Sequence, residues 1–302
     1  MSTKNSPDLS HLTPQAQELA ILPDEQRLQY VRADRWIGYT RANEALKLLN
    51  ELMTTPSKQR MPNLLLTGET NNGKSMIIEK FRRSNPPISH PDREEMPVLV
   101  MQMPSEPSVI RFYTALLTAL GAPSQLRMRL ADVEQRALHL LRATSVRVLV
   151  IDELHNVLAG RGEARREFSN LLRFLGNELR IPLVGAGTRD AYLTIRADPQ
   201  LENRFAPFVL PRWEPDQQAC TLLASFAASF PLRRPSSIAT PDMATYLLTR
   251  CEGTIGELTA LLTEAAVVAI ESGAECINQR TLQMSTYKGP SERRRTFERE
   301  LV

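Results

Sequence analysis

Short apolar runs alternate along the first two thirds of the chain with longer stretches whose apolar residues have helical spacing. The runs lie at 63–67, 98–103, 146–153, 181–187 and 207–211. Runs that are almost wholly apolar, such as VLVMQM with its single glutamine, are typical of strands buried on both faces. Between them, 42–53 and 109–120 place leucines and aromatic residues on one helical face. Strands alternating with helices predict an α/β fold, a three-layer sandwich around a parallel sheet.

After Trp213 the pattern predicts helices only, with helix starts at Asp216, Thr240–Pro241 and Asn278 and helix ends at Gly253 and Gly273. We therefore expect a small all-helical domain after the α/β domain. The predicted division is a loosely attached N-terminal arm (1–34), an α/β domain (35–212), a helical domain (213–287) and a basic C-terminal tail (288–302).

The stretch LLLTGETNNGKSMIIEKF contains the phosphate-loop pattern G-x-x-x-x-G-K-[ST] between a predicted strand and a predicted helix. Its glycines allow backbone N–H groups to surround phosphate oxygens, and the helix directs its positive dipole end at them. Lys74 would reach the β- and γ-phosphates, and Ser75 would bind Mg²⁺. The predicted nucleotide-binding residues of this loop are Gly68, Glu69, Thr70, Asn71, Asn72, Gly73, Lys74 and Ser75.

In the stretch VRVLVIDELH the apolar run is followed by two carboxylates, Asp152 and Glu153, that would complete a hydrolytic site. Asp152 can hold the Mg²⁺ ion, as the second acidic element of phosphate-loop enzymes does. Glu153 beside it can orient and polarise the attacking water. A glutamate at this place, with an extra strand between the two motifs, indicates an ATP-hydrolysing branch rather than the kinases or the Ras-like GTPases.

Two further side chains are predicted to act on the γ-phosphate. Thr188, in GAGT after the fourth strand, carries a hydroxyl that can bond the attacking water or the γ-phosphate; a simple strand-ending turn is the alternative. Arg204, just before the fifth strand, could enter a neighbouring subunit's site as an arginine finger. For Arg204 the alternatives are a structural ion pair, or Arg189 in the same role.

Composition and charge narrow the setting. The 302 residues carry a net charge of only +3, but arginines are concentrated in 121–147 and in the tail after Lys288, which favours a polyanionic partner or a solvated helix face. Three widely spaced cysteines indicate reduced thiols, and the polar N-terminus has no secretion signal. With no apolar run long enough for a membrane span, we expect a cytoplasmic bacterial protein with no membrane partner.

These motifs in this order, followed by helices, resemble the AAA+ ATPases over about residues 35–287. The resemblance implies that Ile37 and Tyr39, in WIGY, lie near the adenine; an ordinary core contact is the alternative. Many AAA+ proteins carry an arginine in G-x-x-R at the start of a lid helix. Here CEGTIGEL has Gly256 at that position, which suits a slow switch rather than a force-generating motor.

Within that class the chain resembles the TniB transposition ATPases, relatives of TnsC and MuB. The resemblance rests on TGETNNGKS, VIDELH, VGAGT followed by DAY, ENRFAPFVLPRW and GTIGEL. It implies an ATPase with ATP and Mg²⁺ as cofactors that acts as an assembly switch. Such a protein binds double-stranded DNA without strong sequence preference and forms homo-oligomers or helical filaments on it. A helicase loader or replication initiator is the alternative.

The same resemblance implies a DDE-type transposase as protein partner and association with the nucleoid when DNA is bound. The expected DNA contacts are Arg127 and Arg129, in GAPSQLRMRLADVEQR, through the phosphate backbone. Because the chain is nearly neutral, we expect oligomerisation to supply much of the DNA affinity.

Overall fold

The computed structural model describes residues 8–122, 128–160 and 162–301. Of these, 41–211 form one compact unit, and the residues before 41 and after 211 form a second. The first is the α/β unit and the second is the helical unit.

The α/β unit is built on a five-stranded parallel sheet, which confirms the predicted fold class. Its strands lie within a residue or two of the predicted apolar runs: β1 (Asn63–Gly68), β4 (Val98–Gln102), β5 (Val148–Asp152), β6 (Leu183–Gly187) and β7 (Phe205–Leu210). Their order in the sheet is β4-β5-β6-β1-β7. The unpredicted β2 (Ile88–Ser89) and β3 (Glu94–Glu95) form a separate antiparallel pair inside the expected surface loop.

The helices of this unit are α3 (Thr40–Thr54), α4 (Lys74–Ser84), α5 (Val109–Ala119), α6 (Leu130–Ala143), α7 (Gly162–Leu179), α8 (Arg189–Arg196) and α9 (Pro199–Glu202). A 3₁₀ turn, Leu154–Ala159, follows β5. Phe112 of α5 and Phe168 of α7 pack edge to face, with ring centroids 5.6 Å apart, in a core that also contains Leu99 and Leu149. Because the strands are parallel, Gly68, Asp152 and Gly187 end at the same edge of the sheet, which is where ligands bind in such folds.

The helical unit is formed by the first and last parts of the described chain, residues 8–40 and 212–301. Its helices are α1 (Pro14–Ala20), α2 (Asp24–Arg32), α10 (Gln217–Ser229), α11 (Pro241–Arg250), α12 (Ile255–Glu271), α13 (Gln279–Met284) and α14 (Pro290–Glu300). The predicted starts are confirmed, because Asp216, Thr240 and Asn278 each accept a backbone N–H in the first turn of their helix.

The N-terminal helices are packed into the helical unit, which differs from the loosely attached arm expected for 1–34. Arg27 of α2 is fully buried; it donates to the Pro231 carbonyl and forms a bidentate ion pair with Glu275, with Nη1 2.9 Å from Oε1. Burying a guanidinium is tolerated only when its N–H groups are bonded. The partners lie more than 200 residues away in sequence, so the local polarity of the segment gave no sign of them.

Candidate functional site

The phosphate-loop residues form a tight connection between β1 and α4. Gly73 is in the left-handed region with φ 88°, a conformation that strongly favours glycine, and it directly precedes the helix. Lys74 is 6% exposed, and its Nζ donates to the carbonyl oxygens of Gly68 at 2.9 Å and Glu69 at 2.8 Å. Burial lowers the pKa of the Lys74 ammonium, and the nearby carboxylates of Asp152 and Glu153 partly offset this.

The loop is attached to the end of a neighbouring strand by Asn72. Its Nδ2 donates to the carbonyl oxygens of Leu210, at 3.0 Å, and Pro211, at 2.8 Å, and the residue is 2% exposed. Asn72 was predicted as a phosphate-loop residue, and its backbone remains one. Its side chain is turned to the end of β7, a role that the motif alone does not give.

The two motifs expected to share a metal ion are in direct contact. Ser75 Oγ donates to Asp152 Oδ2 at 2.9 Å, and the Glu153 N–H donates to Asp152 Oδ1 at 2.8 Å. A hydroxyl and a carboxylate are hard oxygen ligands, and Mg²⁺ in nucleotide sites takes few such protein ligands, with phosphate oxygens and water completing its shell. Ser75 and Asp152 therefore fit a Mg²⁺ ion. In the described ranges no group of three or more His, Cys, Asp or Glu could hold a metal ion.

Glu153 lies next to this pair in an unusual backbone conformation. Its φ is 56°, in the left-handed region that residues with a side chain seldom adopt. Its Oε2 lies 3.1 Å from Nε2 of His155, in the 3₁₀ turn that follows. The sequence motif predicts a catalytic role for Glu153 but none for His155.

Thr188 lies at the same edge of the sheet. It follows β6, whose last residue pairs with Thr67 just before Gly68, and it is the N-cap of α8. The structure thus places five predicted residues at one edge of the sheet: Lys74 and Ser75 at the start of α4, and Asp152, Glu153 and Thr188 at or just after strand ends.

The two candidate finger arginines lie at opposite edges of the sheet. Arg189 begins α8, immediately after Thr188. Arg204 precedes β7, its carbonyl accepts the N–H of Asn63 at 2.9 Å, and its Nη1 donates to Asn177 Oδ1 at 2.9 Å. At about 3.3 Å per strand residue, Arg204 lies roughly 20 Å along β7 from Leu210. Arg204 is therefore outside the phosphate edge of its own subunit.

Ile37, Tyr39 and Gly256 belong to the helical unit. Tyr39 packs edge-on against Trp213 with ring centroids 5.1 Å apart, and burial raises the pKa of its hydroxyl to about 12. Ile37 packs beside them against the core of that unit. Gly256 is the second residue of α12, whose first turn carries the acidic Glu257.

Of the expected DNA contacts, Arg127 lies outside the described residues. Arg129 is the exposed N-cap residue of α6. In the tail, Arg293 of α14 forms a bidentate pair with Glu257, at 2.7 and 3.0 Å.

Within the described ranges, no single helix is both long and apolar enough to cross a membrane. The pair α11 and α12 reaches that length and composition only when joined across a bend of 106°. Both helices contribute buried residues to the core of the helical unit.

Comparison with known proteins gives one family and one fold. A family model described as "Bacterial TniB protein" matches residues 27–215. Among solved structures, the ORC2 protein of Aeropyrum pernix is similar with a TM-score of 0.60 at 14% identity, over 85% of this chain and 70% of that one. Cdc6p of Pyrobaculum aerophilum is similar with a TM-score of 0.58 at 16% identity, over 85% of this chain and 68% of that one.

A curated relative matches only a short segment. The chaperone protein ClpB of Meiothermus ruber is 41% identical over 61 residues, which is 20% of this chain and 7% of that protein. The solved structures match the architecture of the AAA+ fold, a parallel sheet with surrounding helices followed by a helical region.

Proposed function

This chain belongs to the TniB family of bacterial proteins, and we propose that it is an ATP-dependent DNA-binding regulator of DNA transposition. It is an AAA+ ATPase by family and fold. In the proposed role it assembles on double-stranded DNA when ATP is bound, and it recruits or activates a DDE-type transposase. ATP hydrolysis then releases the assembly.

The observation that carries the proposal is the meeting of five polar side chains at one edge of the sheet. Lys74 reaches the β- and γ-phosphates from the loop, and its ammonium exchanges carbonyl oxygens for phosphate oxygens when ATP binds. Ser75 and Asp152, 2.9 Å apart, hold the metal ion. Mg²⁺, when bound, neutralises phosphate charge and orients the γ-phosphate. The Thr188 hydroxyl donates a hydrogen bond to the γ-phosphate or to the attacking water.

Glu153 is the residue that acts on water in this proposal. Its carboxylate accepts a hydrogen bond from the attacking water and directs a lone pair of the water oxygen at the γ-phosphorus. The bond to the β–γ bridging oxygen then breaks, ADP leaves, and the water proton passes to solvent or to the released phosphate. A carboxylate beside the metal ligand Asp152 is suited to this task.

In this proposal Arg204 couples ATP hydrolysis to the assembly of subunits. Because it lies at the edge opposite Gly68, it can contact a phosphate only in a neighbouring subunit. An arginine supplied by a neighbour stabilises the charge of the transferring phosphoryl group, which makes hydrolysis depend on assembly. Arg189, adjacent to Thr188, is at the phosphate edge of its own subunit and does not meet this requirement.

The helices of 213–287 act as a lid with weak coupling to the γ-phosphate in this account. Gly256 stands where many AAA+ proteins carry an arginine, and the neighbouring Glu257 is paired with Arg293 of α14. A lid without that arginine suits a slow switch. Ile37 and Tyr39 stay our proposed adenine contacts, and both side chains pack against the core of the helical unit.

DNA binding is proposed to use the phosphate backbone. Arg129, exposed at the start of α6, and Arg127 supply cations that contact phosphates without reading bases. Each subunit contributes few contacts because the chain carries only +3 overall. Affinity then comes from many subunits assembled along one duplex, and the protein associates with the nucleoid in its ATP form.

The direct test is fluorescence anisotropy of a labelled DNA duplex titrated with the protein in ATP, in ADP and without nucleotide. We expect binding with ATP only, with log affinity falling linearly with log salt. Lys74→Ala should abolish ATP-dependent binding, while the matched control Lys80→Ala, a half-buried lysine farther along the same helix, should bind normally. Binding that is equal with ATP and ADP would contradict the proposal.

The protein partner separates the proposal from a helicase loader or initiator. Tagged protein with Glu153→Gln, loaded with ATP on DNA, should retain a DDE-type transposase encoded beside its gene. Retention of a replicative helicase instead would favour the alternative.

A further inference from the structure

We propose that His155 is a positioning residue for ATP hydrolysis: it holds the carboxylate of Glu153 in the orientation that activates water. The inference rests on the function proposed above for Glu153 and adds a residue that the motif does not mark. Nε2 of His155 lies 3.1 Å from Oε2 of Glu153, within hydrogen-bond distance.

The backbone on both sides of the histidine is fixed. Leu154 and Val157 are fully buried, so the 3₁₀ turn is anchored in the core. Asn156 donates from its backbone N–H to the Glu153 carbonyl at 2.9 Å and from Nδ2 to the Met103 carbonyl at 3.0 Å. His155 therefore projects from a turn that is tied to the ends of both β4 and β5.

The imidazole ring is confined by the end of β6. A Cβ added at Gly187 would lie 2.8 Å from the Ala191 Cβ, 3.1 Å from Nδ1 of His155 and 3.4 Å from the His155 backbone nitrogen, and the first two distances are shorter than ordinary contact. The ring thus fills the space beside Gly187, the residue before Thr188. A side chain at 187 would crowd both Ala191 and the ring, so the absence of a Cβ at Gly187 allows the ring to lie beside Glu153.

The bonding pattern assigns the proton of the neutral ring. Nδ1 is buried and has no hydrogen-bond partner among the described residues. A proton on Nδ1 would have no acceptor there, whereas a proton on Nε2 would have Glu153 Oε2 as acceptor, 3.1 Å from the nitrogen. With the proton on Nε2, His155 holds one carboxylate oxygen of Glu153, and the other oxygen is left to accept from water.

The Glu153 carboxylate needs a fixed position because its own backbone is strained and its side chain can rotate. Glu153 has φ 56°, a strained conformation for a residue with a side chain, which persists only where the surrounding structure fixes it. A free glutamate side chain also samples several rotamers, most of which do not direct an oxygen at the attacking water. A small misplacement of a catalytic group lowers the rate strongly, up to about 100-fold per ångström.

The test combines His155→Ala, His155→Gln and Glu153→Gln in a double-mutant cycle of steady-state ATPase rates on DNA. We expect His155→Ala to lower kcat about tenfold and leave KM within about twofold, because the side chain orients the catalytic group and does not bind nucleotide. His155→Gln should recover much of the rate, since its side-chain N–H can donate to Glu153. His139→Ala, at an exposed position on α6, is the matched control and should be unchanged.

The cycle distinguishes positioning from a purely structural role. In the Glu153→Gln background, adding His155→Ala should change the residual rate less than about twofold, because the residue acts through Glu153. An equal loss in both backgrounds, or a kcat for His155→Ala close to that of the unmodified protein, would overturn the inference. A normal rate for Glu153→Gln alone would instead overturn the proposed role of Glu153, so the two failures are separable.

Discussion

Ser75 Oγ donates a hydrogen bond to Asp152 Oδ2 over 2.9 Å, although the two residues are 77 positions apart in sequence. One belongs to the first turn of α4 and the other to the end of β5. Their contact joins the phosphate loop to the acidic strand end, and it identifies the place where Mg²⁺ would bind together with nucleotide.

Asp152→Asn should remove the metal dependence of nucleotide binding. The amide lacks the charge that favours Mg²⁺, so ATP affinity in Mg²⁺ should fall about 10- to 100-fold while affinity in EDTA changes little. Isothermal titration of ATP with and without Mg²⁺ measures both values. Asp190→Asn, at an exposed position on α8, is the control and should retain the full Mg²⁺ effect. A full Mg²⁺ effect in Asp152→Asn would remove this residue from the metal site.

Asn72→Ala should loosen the phosphate loop from the end of β7. The change removes two hydrogen bonds from a buried side chain and leaves the Leu210 and Pro211 carbonyl oxygens without their donor. We expect the free energy of unfolding to fall by about 1–3 kcal/mol, and ATP affinity to fall with it.

Thermal unfolding with and without ATP measures both effects of Asn72→Ala. Asn43→Ala, exposed on α3, is the control and should stay within about 0.5 kcal/mol. If the two variants prove equally stable, Asn72 does not anchor the loop.

Glu275→Ala should destabilise the helical unit by about 3–5 kcal/mol, because it leaves the buried Arg27 guanidinium without its main counter-charge. Both tryptophans of the chain, Trp36 and Trp213, belong to this unit. Urea unfolding followed by tryptophan fluorescence therefore reports on it selectively.

Glu271→Ala is the matched control for the ion pair. Glu271 pairs with Arg32 at 3.7 Å, and both side chains are exposed, so its loss should cost about 0–1 kcal/mol. Similar costs for the two variants would show that the N-terminal helices are not held by the buried pair.

Cys276 should be the one cysteine that reacts readily with a thiol reagent in the folded protein. Cys220 and Cys251 are buried, and burial raises the pKa of the Cys251 thiol to about 11. The thiolate is the reactive form. At pH 8 a thiol with that pKa is almost entirely protonated, and its thiolate form grows only as the pH approaches 11.

Titration with Ellman's reagent at pH 8 should count one fast thiol in the folded protein and three after unfolding. Cys276→Ser should remove the fast thiol. Loss of fast reaction in Cys251→Ser instead would mean that the core around Cys251 opens.

Much of the α/β unit could be predicted because its central strands, β1, β5 and β6, are buried on both faces. A run such as VLVMQM needs no partner to be recognised, and the phosphate loop is defined by residues next to one another in sequence. The hairpin of β2 and β3 could not be predicted in the same way. Its strands are two residues long and largely exposed, so neither burial nor alternation marks them.

The remaining features depend on distant partners. A role for His155 is indicated by its short distance to Glu153 and by its position beside Gly187. Neither distance can be read from a local sequence pattern. Arg27 was placed in a polar arm because its ion-pair partner Glu275 is 248 positions away. A charged residue in a polar segment gives no local sign that it is buried.

We propose that, on DNA, Arg204 of one subunit completes the ATP site that Lys74 forms in its neighbour. The measurement is the ATPase rate, on duplex DNA, of a mixture of Lys74→Ala and Arg204→Ala proteins. The Lys74→Ala protein does not bind ATP but carries Arg204. The Arg204→Ala protein binds ATP but lacks the finger arginine. We expect each variant alone to be inactive and the mixture to regain hydrolysis. Arg204→Ala subunits hold ATP and bind the DNA, and Lys74→Ala subunits, which bind no DNA alone, join them through the contact between Arg204 and the neighbour's ATP. Full activity of Arg204→Ala alone, or no recovery on mixing, would contradict the account.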